Sequence, residues 1–257
     1  MEPARHLEIL RAETSLLAAV PADVLGAVVP SMDDWTVERI VRHVGKVHQW
    51  CNGAIQLRPD QSMEDIAPTP GLPKGPDCLP AYAETVAELL ATFESLDPTA
   101  ARPTFLGPGS VGWWLRRQAQ EVSIHRTDAH DAIHAIGGPA PTPIAADGAA
   151  DGIDEWARFF LAVRWAQRIG TLPPQLAGRT LHIHGTDDPA PADGAEWLLT
   201  FTGDGIEVEA THAKGDAALR GPAADLLLAL WRRRPLSSLD VVGDAAFAAE
   251  LLDLARF

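Results

Sequence analysis

Hydrophobic residues in this chain change their rhythm near residue 140. Before that point they recur at helical spacing over long stretches. After it they fall in short runs separated by turn residues. Four segments in the first part read as amphipathic helices: Ala4–Ala19, Thr36–Ile55, Ala81–Leu96 and Ser110–Ile136. Ser31–Asp34 offers cap residues ahead of the second, and Gly137–Gly138–Pro139 stops the fourth. Four such helices with one long connection fit a helical bundle. That connection, Pro59–Pro80, is rich in Pro, Asp and Gly and reads as a surface loop.

The stretch Gly137–Gly148 reads as a linker. A helix is expected over Ile153–Gln167. Strands follow over Thr180–His184, Glu196–Phe201, Ile206–Ala210 and Ala217–Arg220. Then come a helix over Pro222–Arg233, a strand near Leu239–Val242 and a helix over Ala245–Ala255. Strands grouped with flanking helices indicate an α+β domain. The chain is thus expected to have two domains and an α+β fold class: a helical bundle over 1–140 and a small α+β domain over 141–257.

Charge and composition exclude several classes of function. The formal net charge is −14, so a polyanion is repelled and nucleic-acid binding is disfavoured. Arg232–Arg234 is the one dense basic run. It reads as the solvated end of a helix, with an anion site as the other reading. No apolar run reaches the ~18–20 residues of a membrane span, and the N-terminus lacks a signal-peptide core. With two cysteines, Cys51 and Cys78, a disulfide framework is not expected. The cytoplasm is the expected compartment.

Chemistry concentrates on the fourth helix. At about 100° per residue, its apolar stripe centres near 70° from Glu121, with His125 at about 40°, inside it. Glu121 sits on the stripe's edge. His130 and His134 fall on the opposite face, and they read as surface residues. An inward carboxylate needs a partner. A Glu–His hydrogen bond would serve; so would a metal ion, since Glu and His one turn apart can reach one cation. A third ligand would come from a facing helix. The second helix offers His43 and His48 on opposite edges of its stripe, and periodicity does not choose between them. Cys51, in that stripe, reads as a buried apolar residue.

The segment Trp35–Trp50, followed by "RRQAQEVSIHRTDA", resembles the mycothiol-dependent maleylpyruvate isomerase family of actinobacteria, relatives of DinB-like metal-binding four-helix bundles. "DGIDEWARFF", "HIHGTDD…EWLLTF", "LRGPAADLLLALWRRRPL" and "VVGD" look like that family's second, sterol-carrier-like domain. The resemblance implies that His43, in "RHVG", joins Glu121 and His125 as a metal ligand. His48 is the fallback ligand or a pocket residue.

Two imidazoles and a carboxylate leave coordination positions open, as in catalytic sites. Zinc suits the set, with Ni, Fe or Mn also compatible. The resemblance further implies mycothiol as thiol cosubstrate and an electrophilic, possibly anionic, small-molecule substrate. In the isomerase reaction, thiolate adds to a cis enoyl diacid, the new single bond rotates, and thiol loss returns the trans isomer. A related thiol S-transferase is the neighbouring reading. A non-catalytic metal- or ligand-binding protein on the same bundle is the alternative class. No nucleophilic residue of the protein is singled out. Arg117, Arg126 and Arg220 are candidates for binding an anionic substrate. His182 and His184 alternate along one strand and read as surface residues or an interdomain contact rather than a second metal site.

Overall fold

A computed structural model describes residues 1–165 and 170–255. The chain divides into two compact units, Met1–Thr142 and Pro143–Phe257. Among the described residues no helix is long and apolar enough to cross a membrane.

The N-terminal unit is built on four helices: α1 (Pro3–Ala18), α2 (Val37–Ala54), α3 (Cys78–Ser95) and α4 (Val111–Ala135). α1 packs on α4 and α3, and α2 packs on α3 and α4, giving the cyclic order α1–α4–α2–α3. The core is made of Leu10 and Leu17 from α1, Ile40 and Val44 from α2, Tyr82 and Leu89 from α3, and Trp114 and Val122 from α4, all essentially inaccessible. Each such apolar side chain contributes about 1.5–3 kcal/mol on burial.

Local signals fix the helix ends. Thr36, not the Ser31–Asp34 stretch, caps α2 by accepting from Arg39 N. Past α4, Gly137 adopts a φ of 95° and Gly138 N donates to Ile133 O, closing the helix through a left-handed turn. A two-stranded hairpin, β1 (Ala101–Thr104) and β2 (Gly107–Ser110), precedes α4.

The 59–80 connection runs as a surface strap along α2, with short 3-10 turns at Met63–Asp65 and Gly75–Asp77. Arg42 Nε donates to Leu72 O, Gly71 N donates to Gln49 Oε1, and Gly75 N donates to Glu38 Oε1. Leu72 is buried where a Cβ on Gly45 would lie 2.3 Å from its Cδ1. Gly45 is therefore what lets the strap close on the helix.

The C-terminal unit opens with α5 (Ala146–Glu155), which continues in wider π-helical turns over Trp156–Arg164. α5 begins earlier than expected, inside the stretch that reads as a linker. Gly148, Ala149, Ala150 and Gly152 are buried, and such small residues allow close approach to α6 (Ala223–Leu230), on which α5 packs. Tertiary packing here overrides the low helix propensity of Gly and Asp. The last two residues of the expected Ile153–Gln167 helix lie outside the described residues.

Five strands form one sheet in the order β5-β4-β3-β6-β7. They are β3 (Thr180–Gly185), β4 (Glu196–Thr202), β5 (Gly205–Glu209), β6 (Ala217–Gly221) and β7 (Asp240–Gly243). Only β3 and β6 run parallel. One sheet face is apolar, with Leu181, Ile183, Leu199, Phe201 and Leu219 all fully buried. α6 lies against β3 and β6, and α7 (Ala245–Leu254) against β6. The Phe247 ring of α7 meets Phe201 edge-on at 5.9 Å.

α6 ends at Leu230, short of the expected Arg233, because Arg232 turns left-handed at φ 63°. The basic run serves the chain itself: Arg232 pairs with Asp253 at 2.5 Å, and the backbone N–H groups of Arg233 and Arg234 both donate to Leu228 O.

Candidate metal centre

Adjacent helices bring three side chains together. His43 comes from the second turn of α2, and Glu121 and His125 lie one turn apart on α4. His43 Nε2 is 3.2 Å from Glu121 Oε1, and His125 Nε2 is 3.4 Å from that same oxygen. The two imidazoles meet edge-on, with centroids 4.8 Å apart and planes at 77°. One donor atom from each residue lies within 4.8 Å of the other two.

The spacing is compatible with a shared cation as well as with a hydrogen-bonded cluster. Zinc bonds of about 2.0–2.1 Å at tetrahedral angles set neighbouring donors about 3.3–3.4 Å apart. An ordinary N–H···O bond spans about 2.7–3.2 Å, so the His125 contact is long for one. The donor set of two imidazoles and one carboxylate fits a divalent metal with positions to spare.

Neighbouring groups hold these donors in place. Asp128, fully buried, lies 3.0 Å from His125 Nδ1 through its Oδ2, which leaves Nε2 for a ligand. Arg117 Nη2 donates to Glu121 Oε2, the oxygen turned away from the imidazoles. Trp35 stacks parallel to the His125 ring at 6.1 Å and meets His43 edge-on at 5.2 Å. The Arg39 guanidinium lies 4.4 Å over the Trp35 ring.

Burial alone would raise the Glu121 carboxyl, but Arg117 and the two imidazoles outweigh it and hold the group well below the ordinary carboxylate range. Burial also works against a proton on His125, yet Asp128 and Glu121 lift it to about 9. Glu121 is a buried anion, and its carboxylate already draws positive charge toward it.

The other expected residues fall elsewhere. His48 is fully buried and turns to Gln118, with Nδ1 2.7 Å from Oε1, so the geometry brings His43 and not His48 to the pair on α4. Its Nε2 is buried without a partner among the described residues. Arg117 is engaged with Glu121. The expectation that Arg126 meets a substrate gives way. It is fully buried, with Nε bonded to Glu13 Oε2 at 2.5 Å and Nη1 to Thr142 O at 2.6 Å. Arg220, in the C-terminal unit, pairs with Asp240 at 3.1 Å. Cys51 is buried and free, its thiol pushed up by burial.

α4 also lacks the wet face that its wheel suggests. Most side chains from Arg117 to Ala129 are buried, and both α1 and α2 pack on this helix. His130 is consequently half-buried, with Nε2 3.4 Å from Leu16 O, while His134 is exposed. Sequence reasoning missed Asp128. The signal was present: a carboxylate three residues after a candidate histidine ligand shares its helix face.

A helical bundle carrying a His–Glu–His cluster, joined to a small α+β unit, defines a class of two-domain proteins. The chain matches the mycothiol maleylpyruvate isomerase N-terminal domain over residues 7–130 and the C-terminal domain of the same family over residues 147–250. It belongs to the mycothiol-dependent maleylpyruvate isomerase family. Two solved structures are similar: a mycothiol-dependent maleylpyruvate isomerase (15% identity, TM-score 0.59) and a histidine-to-alanine mutant of such an enzyme (16%, 0.58). Each covers 94% of this chain and 93% of its own length. No curated protein matches the chain.

Proposed function

We propose that this protein is a divalent-metal enzyme that uses mycothiol as cosubstrate on a small electrophile. The reaction is cis–trans isomerisation of an enoyl diacid such as maleylpyruvate, or S-transfer of the thiol to a related acceptor. His43, Glu121 and His125 hold the metal. A cation with open positions supplies a thiolate at neutral pH, where a free thiol of pKa about 8.5 is mostly protonated.

The chain's own residues prepare that chemistry. Asp128 fixes the His125 ring so that Nε2 faces the shared centre, and Arg117 fixes the Glu121 carboxylate. Trp35 forms an apolar wall against both imidazoles, limiting water around the nucleophile. His43 is the most open of the three, its side chain 36% exposed against 15% and 11% for Glu121 and His125. Thiol and electrophile therefore approach from the α2 side. In the isomerisation, sulfur adds to one alkene carbon and the π electrons move toward the conjugated carbonyl. The resulting single bond rotates. Expulsion of the same thiolate restores the double bond as trans, with no net change in atoms or electrons.

The observation that carries this reading is the convergence of two Nε2 atoms on one carboxylate oxygen at metal-ligand spacing. It is tested by metal analysis and by turnover of maleylpyruvate and a panel of electrophiles, with and without mycothiol. His43→Ala and Glu121→Ala are expected to lower metal content and abolish thiol-dependent turnover in folded protein. Metal bound without any thiol-dependent turnover would instead make the protein a metal-binding module. Metal retained in His43→Ala but lost in His48→Ala would overturn the ligand set.

A further inference from the structure

A second convergence of imidazole and carboxylate lies within the C-terminal unit. His182 and His184 are two residues apart on β3, so both project from the same face of the sheet. Glu196 on β4 is the direct antiparallel partner of His184, which puts its carboxylate on that face too. His212 comes from the 210–216 connection between β5 and β6. The sequence shows only the His182–His184 alternation. Nothing periodic points to Glu196 or His212, and the reading of His182 as a surface residue fails, since it is 5% exposed.

The four side chains share one centre. Glu196 Oε1 is 3.2 Å from His184 Nδ1, and Oε2 is 3.3 Å from His182 Nε2 and 2.5 Å from His212 Nδ1. The three imidazole centroids form a near-equilateral triangle with sides of 5.6, 5.3 and 5.6 Å. Their planes stand at 71°, 89° and 70° to one another, so each ring turns an edge inward rather than stacking. One donor atom from each of the four lies within 4.8 Å of every other.

Core packing does not call for histidine here, because the apolar face of the same strands is the opposite one. Ion pairing does not account for the cluster either. Only the His212 pair is exposed, and such a pair contributes about 0–1 kcal/mol, while three imidazolium rings around one carboxylate would repel one another. Three neutral imidazoles and one carboxylate can instead each turn one donor atom to a shared cation.

We propose that His182, His184, Glu196 and His212 form a second divalent transition-metal site, with zinc the ion that this ligand set suits. Four protein ligands close a tetrahedral shell, the arrangement of structural zinc sites. The His43 triad, with three, leaves room for a substrate. The 3.3 Å between Glu196 Oε2 and His182 Nε2 already matches the tetrahedral edge of about 3.3–3.4 Å. The His212 side chain, 75% exposed on its connection and now bonded to Glu196 Oε2, would shift to take the remaining corner. A bound ion ties β3, β4 and the 210–216 connection together, and its role is to hold this unit's fold rather than to turn over substrate.

The test is zinc stoichiometry and affinity on the untagged full-length chain, with Co(II) absorption as a second readout. His212→Ala, at an exposed position, is expected to fold as the parent does and to bind one equivalent fewer. His184→Ala is expected to lose the same equivalent. Glu121→Ala is expected to keep it, with the intense visible bands of tetrahedral Co(II), and to lose those bands when His212→Ala is added. The count falls by one in His212→Ala whether or not the N-terminal triad holds metal, so the two sites are judged separately. Equal stoichiometry and affinity in the parent, His212→Ala and His184→Ala would overturn the proposal.

Discussion

Asp128 and His125 are bonded on one face of α4: Oδ2 and Nδ1 lie 3.0 Å apart, and the carboxylate is wholly buried. The pair fixes which ring nitrogen His125 offers to the shared centre and makes it a better donor. Asp128→Asn keeps the shape and removes the charge. Its zinc affinity, measured by chelator competition, is expected to fall about 10–100-fold. An unchanged affinity would mean that Asp128 has no part in the centre.

Arg117 is the partner of Glu121 on the side away from the imidazoles. Replacing it by Met leaves Glu121 Oε2 without its partner, which costs about 1–3 kcal/mol in metal-free protein. A cation on the other carboxylate oxygen offsets much of that cost. Denaturant unfolding of Arg117→Met should therefore show a larger stabilisation by zinc than the parent does. The opposite order would show that Arg117 does not serve Glu121.

His48 sets a pH dependence beside that centre, since Glu121 and His43 also act on it. Burial pulls its folded-state pKa down to about 4, while the unfolded chain titrates near 6.5. Between those values the unfolded state takes up a proton that the folded state refuses. Stability is thus fully present above pH 6.5 and is lost as pH falls toward 4, by about 3 kcal/mol in all. His48→Gln should flatten the stability–pH curve over that window. Parallel curves for variant and parent would refute the assignment.

Gly45 and Leu72 form a lock between α2 and the strap. Gly45→Ala places a methyl against the Leu72 side chain and should destabilise by about 1–3 kcal/mol. Leu72→Ala empties the same space. The double variant should be more stable than the two single effects added together, because each removes the other's conflict. Strict additivity in thermal unfolding would show that the strap is not seated on Gly45.

How far the chain could be read without coordinates varied with the physics in play. The bundle helices and the strands were legible because their apolar periods differ. His43 and His48 were not separable on the wheel. Both sit at stripe edges, and only the position of α4 beside α2 decides which one meets Glu121. The start of α5 was hidden because Gly148 and Gly152 signal a linker locally and act as packing residues globally. The β1–β2 hairpin was hidden by its brevity and its Pro and Gly content. His212 was hidden because a connection carries no period. Asp128 was visible and went unused.

His43 and Glu121 are separated by 78 positions along the chain. The triad does not exist in a partly synthesised polypeptide: α4 must leave the ribosome and dock on α2 before three donors face one ion. Early, non-native capture of the proposed metal by this trio would thereby be disfavoured, and occupancy would become a mark of completed assembly. The same separation means that a cleavage anywhere along the strap or α3 divides the ligands between two fragments, so retention of the ion would report whether those fragments stay associated.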